Sequence, residues 1–329
     1  MKRKNWLSWL VLLVMGMFVL MSGGCGGGGG GGDTQVVEPP PPPPPIPIPE
    51  PQGNWQDDGN YDTGWYSNTP YEISTAQELA GLAKLVNNGT TFEGETIRLT
   101  EDIDLGDHYW RPIGVNDRDG WVFKGMFDGQ GHTVSNTIIN TQNSDAYGGL
   151  FGINFGTVKN IKVKDVLISV KNTENNWCVV GGLVGYNLTG TVVNCTATGS
   201  VSATSNAWAA VAGGLVGLNR GGTIIDCKDV DVIIYAEFTS LINIYCLAGG
   251  FAGAIEGAVT TNCSTISTNI TASVNTAENE PSDTPTALAV GSFAGRFNPR
   301  GTVYNNTAYG SPKIGIDDRK PSGAPSDDI

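Results

Sequence analysis

The 329-residue sequence predicts an all-β fold, a coil of short strands that pair in parallel from one turn to the next, closed at its front by one short helix. Three observations predict it. A glycine phrase recurs as Gly-Gly-Leu-Phe-Gly at 148–152, Gly-Gly-Leu-Val-Gly at 181–185 and 213–217, Gly-Gly-Phe-Ala-Gly at 249–253 and Gly-Ser-Phe-Ala-Gly at 291–295, with offsets of 33, 32, 36 and 42 residues. A second phrase keeps step behind it at 156–161, 190–195, 222–227, 257–263 and 301–306, reading Gly-Thr-Val-Val-Asn-Cys in its second copy. The segments between glycines alternate in patches, favour β-branched residues and carry no helix-length period of 3.6. A fixed period of this size is the mark of a solenoid.

The N-terminus comes before the coil. Lys2, Arg3 and Lys4 precede an apolar run from Trp6 to Met21, then small residues and Cys25. This is the pattern of an export signal, and the run is shorter than the ~20 apolar residues of a membrane span. Residues 1–25 are therefore expected to be a lipoprotein-type signal peptide, with Cys25 lipidated and membrane lipid as the partner of the N-terminus. Ser22 stands where lipoprotein signals prefer Leu, and an uncleaved anchor or an ordinary secretory signal is the alternative. Residues 26–52, with the Gly26–Gly32 and Pro39–Pro45 runs, read as a tether. Residues 53–147 read as an N-terminal cap and first turns, 148–310 as the five repeats, and 311–329 as a loose polar tail.

The cap is predicted at Ser74–Gly89. Ser74 with Gln77 and Thr75 with Glu78 offer overlapping capping boxes, Leu79, Leu82, Ala83 and Val86 share one face, and Asn87, Asn88 and Gly89 supply a stop. Such a helix would cover the otherwise open first turn. Within the repeats, glycine is expected at corners, where it permits φ > 0 and close backbone approach. Asn154, Asn187 and Asn219 fall in one column, as do Ile161, Cys195, Cys227, Cys263 and Asn306. With Cys25 set aside, five cysteines remain, including Cys178 and Cys246. An odd number is no complete disulfide framework, so buried thiols are expected, one bridge between adjacent turns being the alternative.

The glycine–leucine phrases resemble the GLUG motif, a repeat of secreted and surface-attached bacterial proteins. The segment from Tyr71 through "IRLTEDIDLG" and "FKGMFDGQGHTV" is similar to the region preceding such repeats and to the non-catalytic part of bacterial immunoglobulin A peptidases. The two likenesses span about Tyr71 to Tyr309; the fourth and fifth copies carry Ala where the second and third carry Val. The resemblance implies a right-handed parallel β-helix on a cell surface, adhesin-like, without a defined ligand.

A net charge of −13 argues against nucleic acid. An enzyme acting on acidic polysaccharide would need clustered carboxylates. Acids are densest before the repeats, at Glu101, Asp102, Asp104, Asp107, Asp117, Asp119 and Asp128, whereas those of the repeats share no column. His108 and His132 belong to no His-Glu-x-x-His motif, and no metal set or cofactor is expected. Aromatic residues before the repeats, Trp55, Trp65, Tyr66, Trp110 and Trp121, are the candidate ligand-binding group, their alternative role being to seal the coil. The long spacer at 272–287 is a second place for binding. The expected function is that of an exported, membrane-anchored, non-catalytic surface protein, at the outer membrane or cell surface, binding glycans or matrix proteins of a host or neighbouring cell. A β-helix lyase or glycoside hydrolase, and a structural spacer of the envelope, are the alternatives.

Overall fold

In the computed structural model the described residues run from 51 to 316, apart from 117–119, 143–145, 173–176, 207, 239–244, 268, 275–286, 299–301, 305 and 310. Cys25, the tether up to residue 50, residues 317–329, Asp117, Asp119 and most of the 272–287 spacer lie outside them. The first six residues of the expected loose tail, Ser311–Ile316, instead form a strand that pairs in parallel with Asn269–Val274 and extends the ladder.

Every paired strand of the coil runs parallel to its neighbours, and one repeat is one turn. Gly181 pairs with Gly213, Gly213 with Gly249 and Gly249 with Gly291. Equivalent residues of adjacent turns therefore lie about 4.7–4.9 Å apart. A turn has four strands. After Gly190, Thr191–Val193 joins an eight-stranded sheet, and Thr196–Ser205 joins a ten-stranded sheet with a bulge between Ala197 and Gly199. Ala209–Gly213 and Val216–Arg220 then enter two five-stranded sheets. Between the long strand and the strand that leads into the glycine phrase lie residues 173–176, 206–208, 239–244 and 275–286 in successive turns. Most of the variation in period falls at this one seam.

Two apolar layers hold the turns. The central column contains Val163, Val180, Leu183, Val184, Leu215 and Phe251, all fully buried. A second layer forms where the Val216–Arg220 family of strands lies over the Ala209–Gly213 family. There Val179, Val211 and Leu247 meet Ile153, Tyr186, Leu218 and Ala254. The inner strands are apolar on both faces for this reason, as buried parallel strands are.

That overlap explains the glycine phrase: of the two reasons expected for glycine, close backbone approach holds at the second to fourth copies of the motif and positive φ does not. None of Gly181, Gly185, Gly213, Gly217, Gly249 and Gly253 has a left-handed φ. They are glycine because backbone lies against backbone. A Cβ on Gly217 would sit 2.6 Å from the Gly185 carbonyl oxygen and 2.8 Å from that of Val180. Left-handed corners of the repeats lie elsewhere, at Asn160, Asn194, Asp226 and Asn262, with φ between 51° and 55°, and at Thr189, Gly221 and Gly257. Asn and Asp tolerate that region better than other residues with a side chain.

The Asn column forms a buried ladder. Asn154 Nδ2 donates to Asn187 Oδ1 at 2.8 Å, and Asn187 Nδ2 to Asn219 Oδ1 at 2.9 Å. All three are fully buried, and the next two turns place Ile255 and Phe297 in the column. The thiol column is also buried, and all five described cysteines are free. Burial pushes Cys178 and Cys246 up to about 12, and raises Cys227, which also lies against Cys195 and Cys263. These five thiols are expected to resist alkylation in the native protein and to label fully in denaturant. Site mapping by mass spectrometry checks it; labelling of native Cys195 or Cys227 would show that the column opens without global unfolding.

The front is closed by α1, Ala76–Val86. Of the two capping boxes, Thr75 with Glu78 forms, because Thr75 is the N-cap and Ser74 lies outside the helix. Ser74 instead donates its N–H (2.7 Å) and hydroxyl (3.0 Å) to the same Glu78 carboxylate. Leu79, Leu82, Ala83 and Val86 are fully buried against the core. Asn87 ties the helix end to the coil, donating to the Pro112 carbonyl and accepting from the Gly114 N–H, each at 2.9 Å.

Candidate functional site

The structure places the predicted aromatic group mostly inside. Trp55, Trp65 and Trp110 are 3%, 7% and 2% exposed, and so cannot serve as stacking faces for a ligand. Each indole N–H donates to a backbone carbonyl, those of Leu105, Glu78 and Leu150 respectively, at 3.0 to 3.1 Å. The physical reason is that the first turns need large side chains beneath and beside α1, and an indole fills that space with one donor to satisfy. Tyr66 remains partly exposed but stacks on Tyr71 at 5.4 Å. Trp121 is half-buried, and its backbone forms an isolated antiparallel bridge with Asn116. The five residues do not form one open surface; most of them seal the coil.

Three acids of the first turns, Asp102, Asp104 and Asp128, are held by hydrogen bonds within and between turns. Asp104 accepts from the Gly106 N–H (3.0 Å) and from Asn136 (2.8 Å). The Thr133 N–H, at 2.8 Å, and then His132, at 3.3 Å, hold Asp102 below the usual carboxylate value. Asp128 heads a second, outer ladder: Asn194 donates to Asn160 at 2.9 Å, and Asn160 to Asp128 at 3.0 Å. With Gln130 and Gly131 these three line an open polar groove of about 400 Å³.

Burial would raise Asp128, but Asn160, the Gln130 N–H and Lys159, at 3.3 Å, together hold it below its ordinary value of 3.8. Both shifts run away from the raised pKa that a general acid needs. Among the described residues no three of His, Cys, Asp and Glu gather as a metal site. A carboxyl that is more acidic in the folded chain stabilises it above the unfolded value. That stability is lost as pH falls through the lower, folded value. Asp128→Asn should therefore flatten the acid limb of stability below pH 3.8, read as the denaturation midpoint against pH. Equal acid limbs in variant and wild type would remove Asp128 as a source.

The exposed aromatic residues of the repeats lie elsewhere. Trp177 and Tyr245 are each 37% exposed and Trp208 is 54% exposed. The sequence signal for two of them is register: Trp177 and Tyr245 both stand four residues before the first glycine of a motif copy. Arg296 lies over the Tyr245 ring, 4.6 Å from its centroid. Beside it, Glu256 lies 3.9 Å from Arg296 and 3.8 Å from Arg220. This face joins aromatic surface to charge, which the outer Asn ladder does not.

Comparison with known proteins gives three findings. The family model of the GLUG motif matches residues 178–202, which contain the second copy of the glycine phrase and the strands after it. Halomucin of Haloquadratum walsbyi is 31% identical over 145 residues, covering 41% of this chain. The chain spans 2% of that relative's length. A Bacteroides ovatus crystal structure, described as a candidate immunoglobulin A1 protease, superposes with a TM-score of 0.53 at 17% identity, covering 79% of this chain and 81% of the other. That likeness is one of fold.

Proposed function

We propose that this GLUG-repeat β-helix is an exported, lipid-anchored surface protein that captures a ligand without catalysis. The observation that carries the reading is how the polar side chains of the coil are used. Asn and Asp columns satisfy turns and one another along the axis, and the depressed Asp102 and Asp128 are suited to remain ionised rather than to exchange protons. Such a coil offers a long, rigid, repeating surface, which suits binding by many shallow contacts. The Halomucin likeness supports a place outside the cell, and the N-terminal pattern ending at Cys25 supports an anchor. No helix among the described residues is long and apolar enough to cross a membrane.

The test is binding of the full chain to an array of glycans and matrix proteins, with turnover followed on each glycan bound. Saturable binding without product supports the reading. Product release would replace it with the glycan-cleaving enzyme, and a blank across the array with the envelope spacer. In the same cells, Cys25→Ala should move the protein from the membrane fraction to the soluble one; retention in the membrane would make the apolar run itself the anchor.

A further inference from the structure

Trp177 and Tyr245, each 37% exposed, share one column of the strands that lead into the glycine phrase, with the small, fully buried Ala209 between them. Adjacent turns are about 4.8 Å apart, so the two aromatic residues stand about 9–10 Å apart along the axis. Trp208, next to Ala209, adds a third exposed ring at the intermediate turn. The outer strands end beside this column. They bring Arg296 onto Tyr245, and the run continues through Glu256 to Arg220, whose guanidinium also bonds the Tyr186 hydroxyl. Side-chain exposure is 38% for Arg296 and 58% for Arg220, but 19% for Glu256. The charge presented to solvent is thus mainly guanidinium, and the Glu256 contacts are too long to be hydrogen bonds.

The geometry points to this face as the binding site for an extended acidic polysaccharide. Sugar rings would lie on Trp177 and Tyr245, and carboxylate or sulfate groups would be taken by Arg220 and Arg296. The inference rests on the ligand-binding reading above and names its ligand class. Aromatic faces stack on the C–H faces of sugars. A β-linked chain turns over at each residue, so one ring face recurs every second sugar, at a spacing comparable to that of the two aromatic residues. A guanidinium's planar donors match a carboxylate or sulfate in pairs. The chain as a whole carries −13, which repels polyanions at long range. At physiological salt, charges beyond about 8 Å are largely screened, so the exposed guanidiniums of Arg220 and Arg296, with the less exposed Glu256 between them, act on a ligand at short range. Aromatic residues and Arg also mark protein interfaces, but a regular axial spacing suits a polymer with its own repeat.

The experiment titrates the full chain with alginate and with sulfated cellulose, using soluble cello-oligosaccharides as the neutral comparison. Trp177→Ala and Tyr245→Ala should each weaken binding of both acidic polymers about tenfold, as loss of a central aromatic contact does. The pair Arg220→Gln and Arg296→Gln should abolish the preference over the neutral oligosaccharide, while Tyr309→Ala, at an exposed ring outside the column, leaves every affinity unchanged. Unfolding midpoints accompany each variant. Should an aromatic variant fail to fold, the two glutamine changes, made on partly exposed side chains, still decide the matter. Equal affinity for neutral and acidic ligands overturns the inference, and so does wild-type affinity in the Trp177 and Tyr245 variants. In either case array binding would leave the ligand-binding reading standing. Capture of a matrix protein through Trp177, with no polymer bound, overturns it in favour of a protein partner. A blank with every ligand overturns both readings.

Discussion

Gly217→Ala should destabilise the coil by about 3–5 kcal/mol, far more than one methyl group usually does. The added Cβ would meet the Gly185 and Val180 carbonyl oxygens at 2.6 and 2.8 Å and Val179 Cγ1 at 2.8 Å. Two of those three atoms are backbone, held by the ladders of two different sheets, so no side-chain rotation relieves the clash. The strand must lift from its neighbour, which opens the layer around Val179, Val211 and Leu218. Gly257→Ala is the control. It has φ +55° but nothing within 4 Å of its Cβ site, so only the left-handed conformation costs, about 1–2 kcal/mol. Denaturation midpoints of the two variants read the difference directly. Equal losses would mean that conformation, and not close approach, selects glycine in the motif.

Asn187→Leu should cost about 2–5 kcal/mol. It leaves the Asn154 Nδ2 donor and the Asn219 Oδ1 acceptor facing an apolar side chain, and a buried polar group without a partner costs about 1–3 kcal/mol. The more telling variant replaces Asn154, Asn187 and Asn219 by Ile together. Removing every member of a buried polar ladder leaves fewer orphaned side-chain groups than removing its middle, and Ile255 already occupies the column one turn on. The triple variant is expected to lose no more stability than Asn187→Leu alone. A loss three times as large would show that each amide is needed for its own turn, through bonds such as Asn187 Nδ2 to the Gly190 carbonyl, and not for its neighbours.

Much of this architecture is legible in the residues. The glycine phrase predicted a parallel coil but left one turn per repeat or more than one equally open, and the pairing of Gly181 with Gly213 makes it one. The Asn and Cys columns fell where the pairing puts them, because parallel in-register strands carry each residue onto its own copy. The capping helix was readable from Thr75, Glu78 and the Leu79–Val86 face for the same local reasons that form it. What the sequence could not separate was why glycine is there. Positive φ and close approach select the same residue, and the decisive contact joins segments about 32 residues apart, Gly217 with Gly185. The aromatic group failed for a related reason. Trp55, Trp65 and Trp110 and the exposed Trp177 and Tyr245 look alike in composition. Only the layering of two strand families distinguishes the ring that closes a coil from the ring that stands beside it.

The seam between the long strand and the next strand has a consequence for how such a chain can grow. Four, three, six and twelve residues lie there in successive turns, while the paired strands on either side keep their register. A duplicated turn arrives with its contacts already solved, since its neighbours are its own copies. Novelty can then accumulate at one place, beside the Trp177–Tyr245 column, without renegotiating the core. The fold thereby separates inheritance from invention: the walls are copied, and a single margin is left free to be rewritten.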